Sequence, residues 1–77
     1  MTIKMYTTPF CKYCKVAKEF FKTKNISFTE VDITKDDKAM KEMMSKSQQM
    51  SVPVFDIDGE ILVGFNRTKL EKAIKVA

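Results

Sequence analysis

Histidine and tryptophan are missing from this 77-residue chain, and glycine, proline and cysteine occur twice each. Arg67 is the single arginine. Without histidine there is no imidazole general base and no His ligand for zinc, copper or haem. Two cysteines cannot by themselves fill the four positions of a structural zinc site. Gly59 and Gly64 are too few for a Gly-rich phosphate loop. No run approaches the ~20 apolar residues of a membrane span, so no membrane partner is expected. The opening residues MTIKMYTTPF lack the ~7–15-residue apolar stretch of a signal peptide. A cytoplasmic location is the expectation that follows. Thiols are kept reduced there, so a disulfide is a working bond before it is a structural one.

What is present reads as one globular domain spanning residues 1–77. The chain is 44% hydrophobic and 31% charged, which is too apolar for a disordered segment. A domain this small buries only a little more than ~60% of its unfolded surface, so its core must be compact. The net charge is +4 and unevenly placed. Residues 1–24 carry Lys4, Lys12, Lys15, Lys18, Lys22 and Lys24 against Glu19 alone, while the remainder is close to neutral. The lysines read either as a solvated face or as a field that favours a thiolate and an acidic partner. Nucleic acid is not an expected partner, since one arginine and no interleaved aromatics make a poor phosphate-binding face.

Along the chain, residues 3–7 alternate in polarity ahead of Pro9 and predict a strand. Residues 12–24 place Val16, Ala17, Phe20 and Phe21 at helical spacing, with Asn25 as the stop. A second strand follows at 28–33, and Thr34 with Asp37 has the form of a capping box. A second helix is expected over 36–48, with Ala39, Met40, Met43 and Met44 facing inward. Residues 53–57 and 60–64 flank Asp58-Gly59, the signature of a two-residue type I′ hairpin. A last helix spans 67–76, capped by Asn66 or Thr68, with Leu70, Ala73 and Ile74 on one face. The order is βαβαββα, an α/β fold with parallel pairing between the first strands and an antiparallel hairpin. Phe20, Phe21, Phe28, Val31, Val54, Leu62, Leu70 and Ile74 are the candidate core.

Cys11-Lys12-Tyr13-Cys14 lies between the first strand and the first helix. At a helix start several backbone N–H groups have no partner in the helix, and they favour an anion on the Cys11 sulfur. Lys12 and Lys15 act in the same direction. Cys14 follows one turn later, close enough for a disulfide and less exposed, which suits a resolving thiol. A purely structural disulfide closing so short a loop would stabilise weakly. A metal-binding module, carrying Cu(I) or an iron–sulfur cluster, is the alternative from another class. Small copper carriers place a C-x-x-C in a βαββαβ order, so a helix over 36–48 separates the two readings. Met40, Met43, Met44 and Met50 are soft enough for copper, but helical spacing favours core packing. A C-x-x-C beside a βαβ pattern in a cytosolic chain reads as a redox pair, needing no cofactor beyond a Cys11–Cys14 disulfide.

Val52-Pro53 precedes the third strand. Pro53 reads as an ordinary trans strand-start proline or as a cis proline that leaves the Val52 backbone free to pair with an extended substrate. Phe10 either contacts a partner or packs on the sheet edge. Tyr13 faces solvent, where its hydroxyl could meet a bound thiol.

Together, Thr-Pro-Phe-Cys-Lys-Tyr-Cys-Lys at 8–15, Ser-Val-Pro at 51–53 and Asp-Gly-Glu with Gly64-Phe65 at 58–65 resemble the glutaredoxin family over essentially the whole chain. The nearest subgroup is the short glutaredoxin-like proteins of the YruB type, similar to NrdH-type redoxins. The resemblance implies a thioredoxin fold, with a four-stranded mixed sheet in the order second, first, third, fourth. It places the first and last helices on one face and the second helix on the other. It implies Cys11 as nucleophile, Cys14 as resolving thiol and a cis Pro53. It also implies a substrate surface of Phe10, Lys12, Tyr13, Val52, Pro53, Gly64, Phe65, Asn66 and Arg67, with no metal. The expected activity is reduction of protein or glutathione-mixed disulfides by a monomer. Two departures bear on the reductant. Thr8 stands where glutathione-using members carry a basic residue, and Gly64-Phe65-Asn66-Arg67 replaces Gly-Gly with a polar pair. Gly64-Phe65 resembles the redoxins reduced by a thioredoxin-reductase-like flavoprotein, whereas Arg67 and the last helix's N-terminus leave a place for a carboxylate of glutathione.

Overall fold

The computed structural model describes residues 2–49 and 51–74. Met50 and the expected extension of the last helix to residue 76 lie outside the described residues. Seven elements follow in the expected order: β1 (Ile3–Thr7), α1 (Lys12–Thr23), β2 (Thr29–Asp32), α2 (Asp37–Ser47), β3 (Val54–Ile57), β4 (Glu60–Val63) and α3 (Arg67–Ile74). The sheet order is β2-β1-β3-β4. β1 runs parallel to β2, with Tyr6 beside Val31, and antiparallel to β3, with Tyr6 opposite Val54. This is the thioredoxin fold. Among the described residues, no helix is long and apolar enough to cross a membrane.

β1 is central and covered on both faces, which explains a core wider than periodicity alone indicated. Ile3 and Met5 point to one side, where they pack with Ala17, Phe20 and Phe21 of α1, Phe55 and Ile57 of β3, and Leu70 and Ile74 of α3. Tyr6 points to the other side and meets Ala39 and Met43 of α2, with Ile33 and Val54. Met5, Tyr6 and Phe55 are fully buried although none of them was a candidate from pattern. Phe28, Val31 and Leu62, which were, are only partly buried and pack at the margins.

The ends of the helices explain why the chain turns where it does. α1 closes with Asn25 in the left-handed region, φ 56°. The Ile26 N–H donates to the Phe21 carbonyl at 2.9 Å and the Asn25 N–H to that of Lys22 at 3.1 Å. That is a Schellman closure, with asparagine in the place glycine usually takes. The expected capping box at Thr34 does not form. Asp36 caps α2 instead, its carboxylate accepting from the N–H groups of Lys38 (3.0 Å) and Ala39 (3.2 Å). Thr34 turns back to Asp32, whose Oδ1 accepts its N–H and hydroxyl. An acid one residue before the helix reaches the free amides more directly than a threonine three residues before it. Met44 is a second correction: it is 41% exposed rather than inward, because Ala39 and Met43 define the buried stripe. Asn66 caps α3, accepting the Lys69 N–H at 3.0 Å.

Candidate active site

Residues 8–11 carry the chain from the end of β1 to the start of α1, and the parallel β1–β2 pairing sets the end of β2 beside that turn. After Thr7 the chain makes a tight turn in which the Cys11 N–H donates to the Thr8 carbonyl at 3.3 Å. Cys11 then occupies the N-cap of α1 with extended backbone, φ −86° and ψ 114°. Its Sγ accepts the N–H of Cys14 at 3.1 Å. A sulfur thus fills the place a serine or aspartate oxygen takes at most helix starts, and one otherwise unpartnered amide points at it.

Cys14, one turn in, is only 1% exposed, and both cysteines are free thiols. Burial pushes the Cys14 thiol up to about 12, and its hydrogen bond to Cys11 adds to the rise, while the Thr8 backbone pulls the other way. The two sulfurs are therefore unlike. The outer one is partly open and faces an amide donor. The inner one is shielded and held protonated. A disulfide presented at this edge meets Cys11 first.

A cleft of about 160 Å³ opens beside the pair, its walls including Lys15, Lys18, Glu30 and Asp32. The Lys18 ammonium lies 2.5 Å from Glu30 Oε2, which also accepts the Thr7 hydroxyl at 3.0 Å. Asp32 is held below the usual carboxylate range, first by the Thr34 hydroxyl and then by its backbone N–H. Nothing local in the sequence marks Glu30 or Asp32 as part of this site. The signal lay in the register, which sets Asp32 of β2 beside Thr7 at the mouth of the cysteine turn.

The other candidate residues fall into two groups. The Val52–Pro53 bond is cis and Pro53 is fully buried. Val54 opens β3 opposite Tyr6, so the Val52–Pro53 turn lies at the end of the sheet where β1 leads into the cysteine turn. The Gly64 N–H donates to the Pro53 carbonyl at 2.8 Å, which ties the end of β4 to this loop. Gly64 has φ +77°, a backbone conformation that a side chain would strain. Phe10 (90% exposed), Lys12 and Tyr13 (62% exposed) flank Cys11 along the chain and are open to solvent.

Phe65 and Arg67 belong to a neighbouring surface. Phe65 packs edge-on to Phe20, ring centroids 6.1 Å apart. The Arg67 guanidinium lies 5.8 Å from the Phe20 ring centroid, and its Nε donates to Glu71 at 2.9 Å. Both line a groove between α1 and the start of α3. Among the described residues, no three cysteine or carboxylate side chains gather in a way that would hold a metal ion.

A buried-and-open thiol pair at the start of α1, on a thioredoxin fold beside a cis proline, defines a class of protein, and comparison with known sequences names the family. The protein-family model Glutaredoxin matches residues 3–62. The chain belongs to the glutaredoxin family, whose chemistry is thiol–disulfide exchange. It is 49% identical over 73 residues to an uncharacterized glutaredoxin-like 8.6 kDa protein in the rubredoxin operon of Clostridium pasteurianum, covering 95% of this chain and 97% of that one. It is 32% identical over 62 residues to glutaredoxin 3 of Escherichia coli K12, covering 80% and 75% respectively. Among solved structures, the thioredoxin-like protein BC3987 mutant T8A superposes with a TM-score of 0.93 at 33% identity, covering 99% of this chain and 97% of that one.

Proposed function

We propose that this protein is a dithiol disulfide reductase. The Cys11 thiolate attacks one sulfur of an accessible disulfide, in a protein or mixed with glutathione. The substrate S–S bond breaks, its electron pair leaves on the distal sulfur, and a Cys11–substrate disulfide forms. Cys14 gives up its proton, attacks Cys11 Sγ and releases the substrate as a thiol. The product is a Cys11–Cys14 disulfide, so two electrons have moved from the protein to the substrate. An external dithiol or two thiols then restore both cysteines. No cofactor enters, because the sulfurs hold the electrons.

The observation that carries this reading is the asymmetry of the pair: Cys11 Sγ at the N-cap accepting the Cys14 amide, and Cys14 buried behind it. A second motive is the Val52–Pro53 turn at the sheet end that carries the cysteines, where an extended substrate can pair with the Val52 backbone. Phe10, Lys12 and Tyr13 form the contact surface, with Gly64 holding the proline loop. The alternative of a copper carrier loses its ground in the fold, since α2 and not a hairpin follows β2. Thr8 and Gly64-Phe65 favour a thioredoxin-reductase-like flavoprotein as reductant over glutathione, acting on a cytoplasmic monomer.

Replacing Cys11 with Ser abolishes turnover of an oxidised model peptide. Replacing Cys14 with Ser leaves a covalent Cys11–peptide adduct visible by mass spectrometry. A C11S protein that still turns over, or a C14S protein without adduct, ends this assignment. The oxidised protein, offered NADPH with a thioredoxin reductase or glutathione with its reductase, is reduced faster by the former.

A further inference from the structure

The cleft of about 160 Å³ beside the thiols has both cysteines in its wall. Its charged lining comes from two elements, Lys15 and Lys18 of α1 and Glu30 and Asp32 of β2. Lys18 stands four residues beyond Cys14, so the two side chains share one helix face a single turn apart. Lys15 follows Cys14 directly, and adjacent helical positions do not face each other. The Lys18 ammonium lies 2.5 Å from Glu30 Oε2, and the same oxygen accepts the Thr7 hydroxyl at 3.0 Å. Asp32 is engaged by the N–H and hydroxyl of Thr34. Lys18 therefore has one standing anionic partner, Glu30, and a second acceptor on its own helix whenever Cys14 is ionised.

The release step needs a negative charge where the fold is least willing to hold one. Cys14 is 1% exposed, and burial raises its thiol while the Lys18 charge acts against that rise. In this step the Cys14 thiol loses its proton to water, and the thiolate attacks Cys11 Sγ. The Cys11–substrate S–S bond breaks. Its electron pair leaves on the substrate sulfur, which takes a proton from solvent. We infer that Lys18 is the electrostatic partner of the Cys14 thiolate in the release step, and that Glu30 sets how much of its charge reaches the sulfur. The inference rests on the disulfide-reductase reading and adds two residues to its second half. The first attack draws less on this pair, because Cys11 Sγ has the Cys14 amide and Lys18 stands about two turns further along α1. Lys18 and Glu30 carry opposite charges, so removing one has the opposite effect of removing the other. In a merely structural ion pair, loss of either member would act alike.

The probe is dithiodipyridine, a neutral disulfide that yields one absorbing pyridine thione in each half of the reaction. Mixed with the reduced protein in a stopped-flow instrument, it gives two phases, attack by Cys11 and then release by Cys14. The ratio of the second rate to the first is read, because a general loss of structure slows both. Lys18→Met lowers that ratio about threefold, which moves the pH profile of the second phase up by about half a unit. Lys18→Arg restores it. Glu30→Gln, whose amide oxygen still accepts from Lys18 and Thr7, raises the ratio about threefold and moves the profile down. The effect is modest because both side chains are partly exposed, and it shrinks as salt is added. A ratio unchanged in Lys18→Met, or lowered alike in Lys18→Met and Glu30→Gln, overturns the inference while leaving the reductase reading intact. A native protein that releases no second thione would instead remove the reading on which the inference stands.

Discussion

The two faces of the sheet hold their helices by different physics. On the α1–α3 face the contact is hydrocarbon and aromatic. Phe21 meets Phe20, Phe28 and Phe55 at ring-centroid distances of 5.5, 5.0 and 5.9 Å. On the α2 face a smaller apolar cluster gives way to a polar web. Glu42 Oε1 accepts from the Lys4 ammonium at 2.7 Å, from the Tyr6 hydroxyl, and from the Lys46 ammonium at 3.2 Å. Lys46 also reaches Asp56 Oδ2 at 2.5 Å. The difference matters for the site. α1 carries both cysteines, and the packing that holds its Phe20 and Phe21 half against the sheet does not titrate. α2 carries none of the candidate residues, and its anchorage is free to depend on ionisation.

The largest effect expected from breaking this contrast comes from the apolar face. Phe21→Ala should cost about 3–5 kcal/mol, by lost burial plus the cavity left behind, out of the ~5–15 kcal/mol such a domain commands. Urea unfolding measures it, and a cost below ~1 kcal/mol would show that α1 is not held by this cluster.

A smaller effect belongs to Cys14 in the reduced protein. Its thiol is raised from the ordinary 9.0 to about 12, so the unfolded chain releases this proton at lower pH than the native one. The stability contributed by its neutral form is intact below pH 9 and is lost as the pH climbs from 9 toward 12. The loss is on the order of 2 kcal/mol at pH 11. Tyr6, raised by burial and then by Glu42, adds to the alkaline loss. Comparison with C14S isolates the cysteine's share. Coincident alkaline limbs for the two proteins would contradict the burial argument.

The smallest effect lies on the polar face. The Lys4 hydrogen bond, followed by those of Tyr6 and Lys46, pulls the Glu42 carboxyl from the ordinary 4.5 to about 2. Its stabilisation is present above pH 4.5 and is lost as the pH falls toward 2. Glu42→Gln should cost about 1 kcal/mol at neutral pH, a figure kept low because the carboxylate is partly exposed and screened. The gap between the two proteins should close in acid. A gap that persists at pH 2 would mean that Glu42 acts through packing and not through charge.

The same contrast separates what was legible along the chain from what was not. The aromatic face could be read, because Phe20 and Phe21 recur at helical spacing and Leu70 and Ile74 do likewise. The polar web could not. Lys4, Tyr6 and Asp56 look like the solvent-facing half of alternating strands, and only the packing of α2 across β1 and β3 turns them inward. At the candidate site, the position of Cys11 at a helix start was legible from strand, proline and helix signals within a dozen residues. The cleft wall of Lys18, Glu30 and Asp32 was not, since it depends on which strand lies beside β1.

Neighbouring residues were enough to set the local devices: a thiol at the N-cap of α1, the Asp58-Gly59 turn with both residues at positive φ (51° and 94°), the asparagine cap of α3, and an order of elements that admits few topologies. Each depends on hydrogen bonds and backbone preferences among residues a few positions apart. Packing settled how deeply Cys14 is buried, that Asp36 and not Thr34 starts α2, that the Arg67 guanidinium lies over the Phe20 ring, and that a cleft walled by Lys18, Glu30 and Asp32 adjoins the thiols. Burial, charge pairing and groove shape depend on which distant side chains arrive in the same place, and packing both faces of a four-stranded sheet is what brings them there.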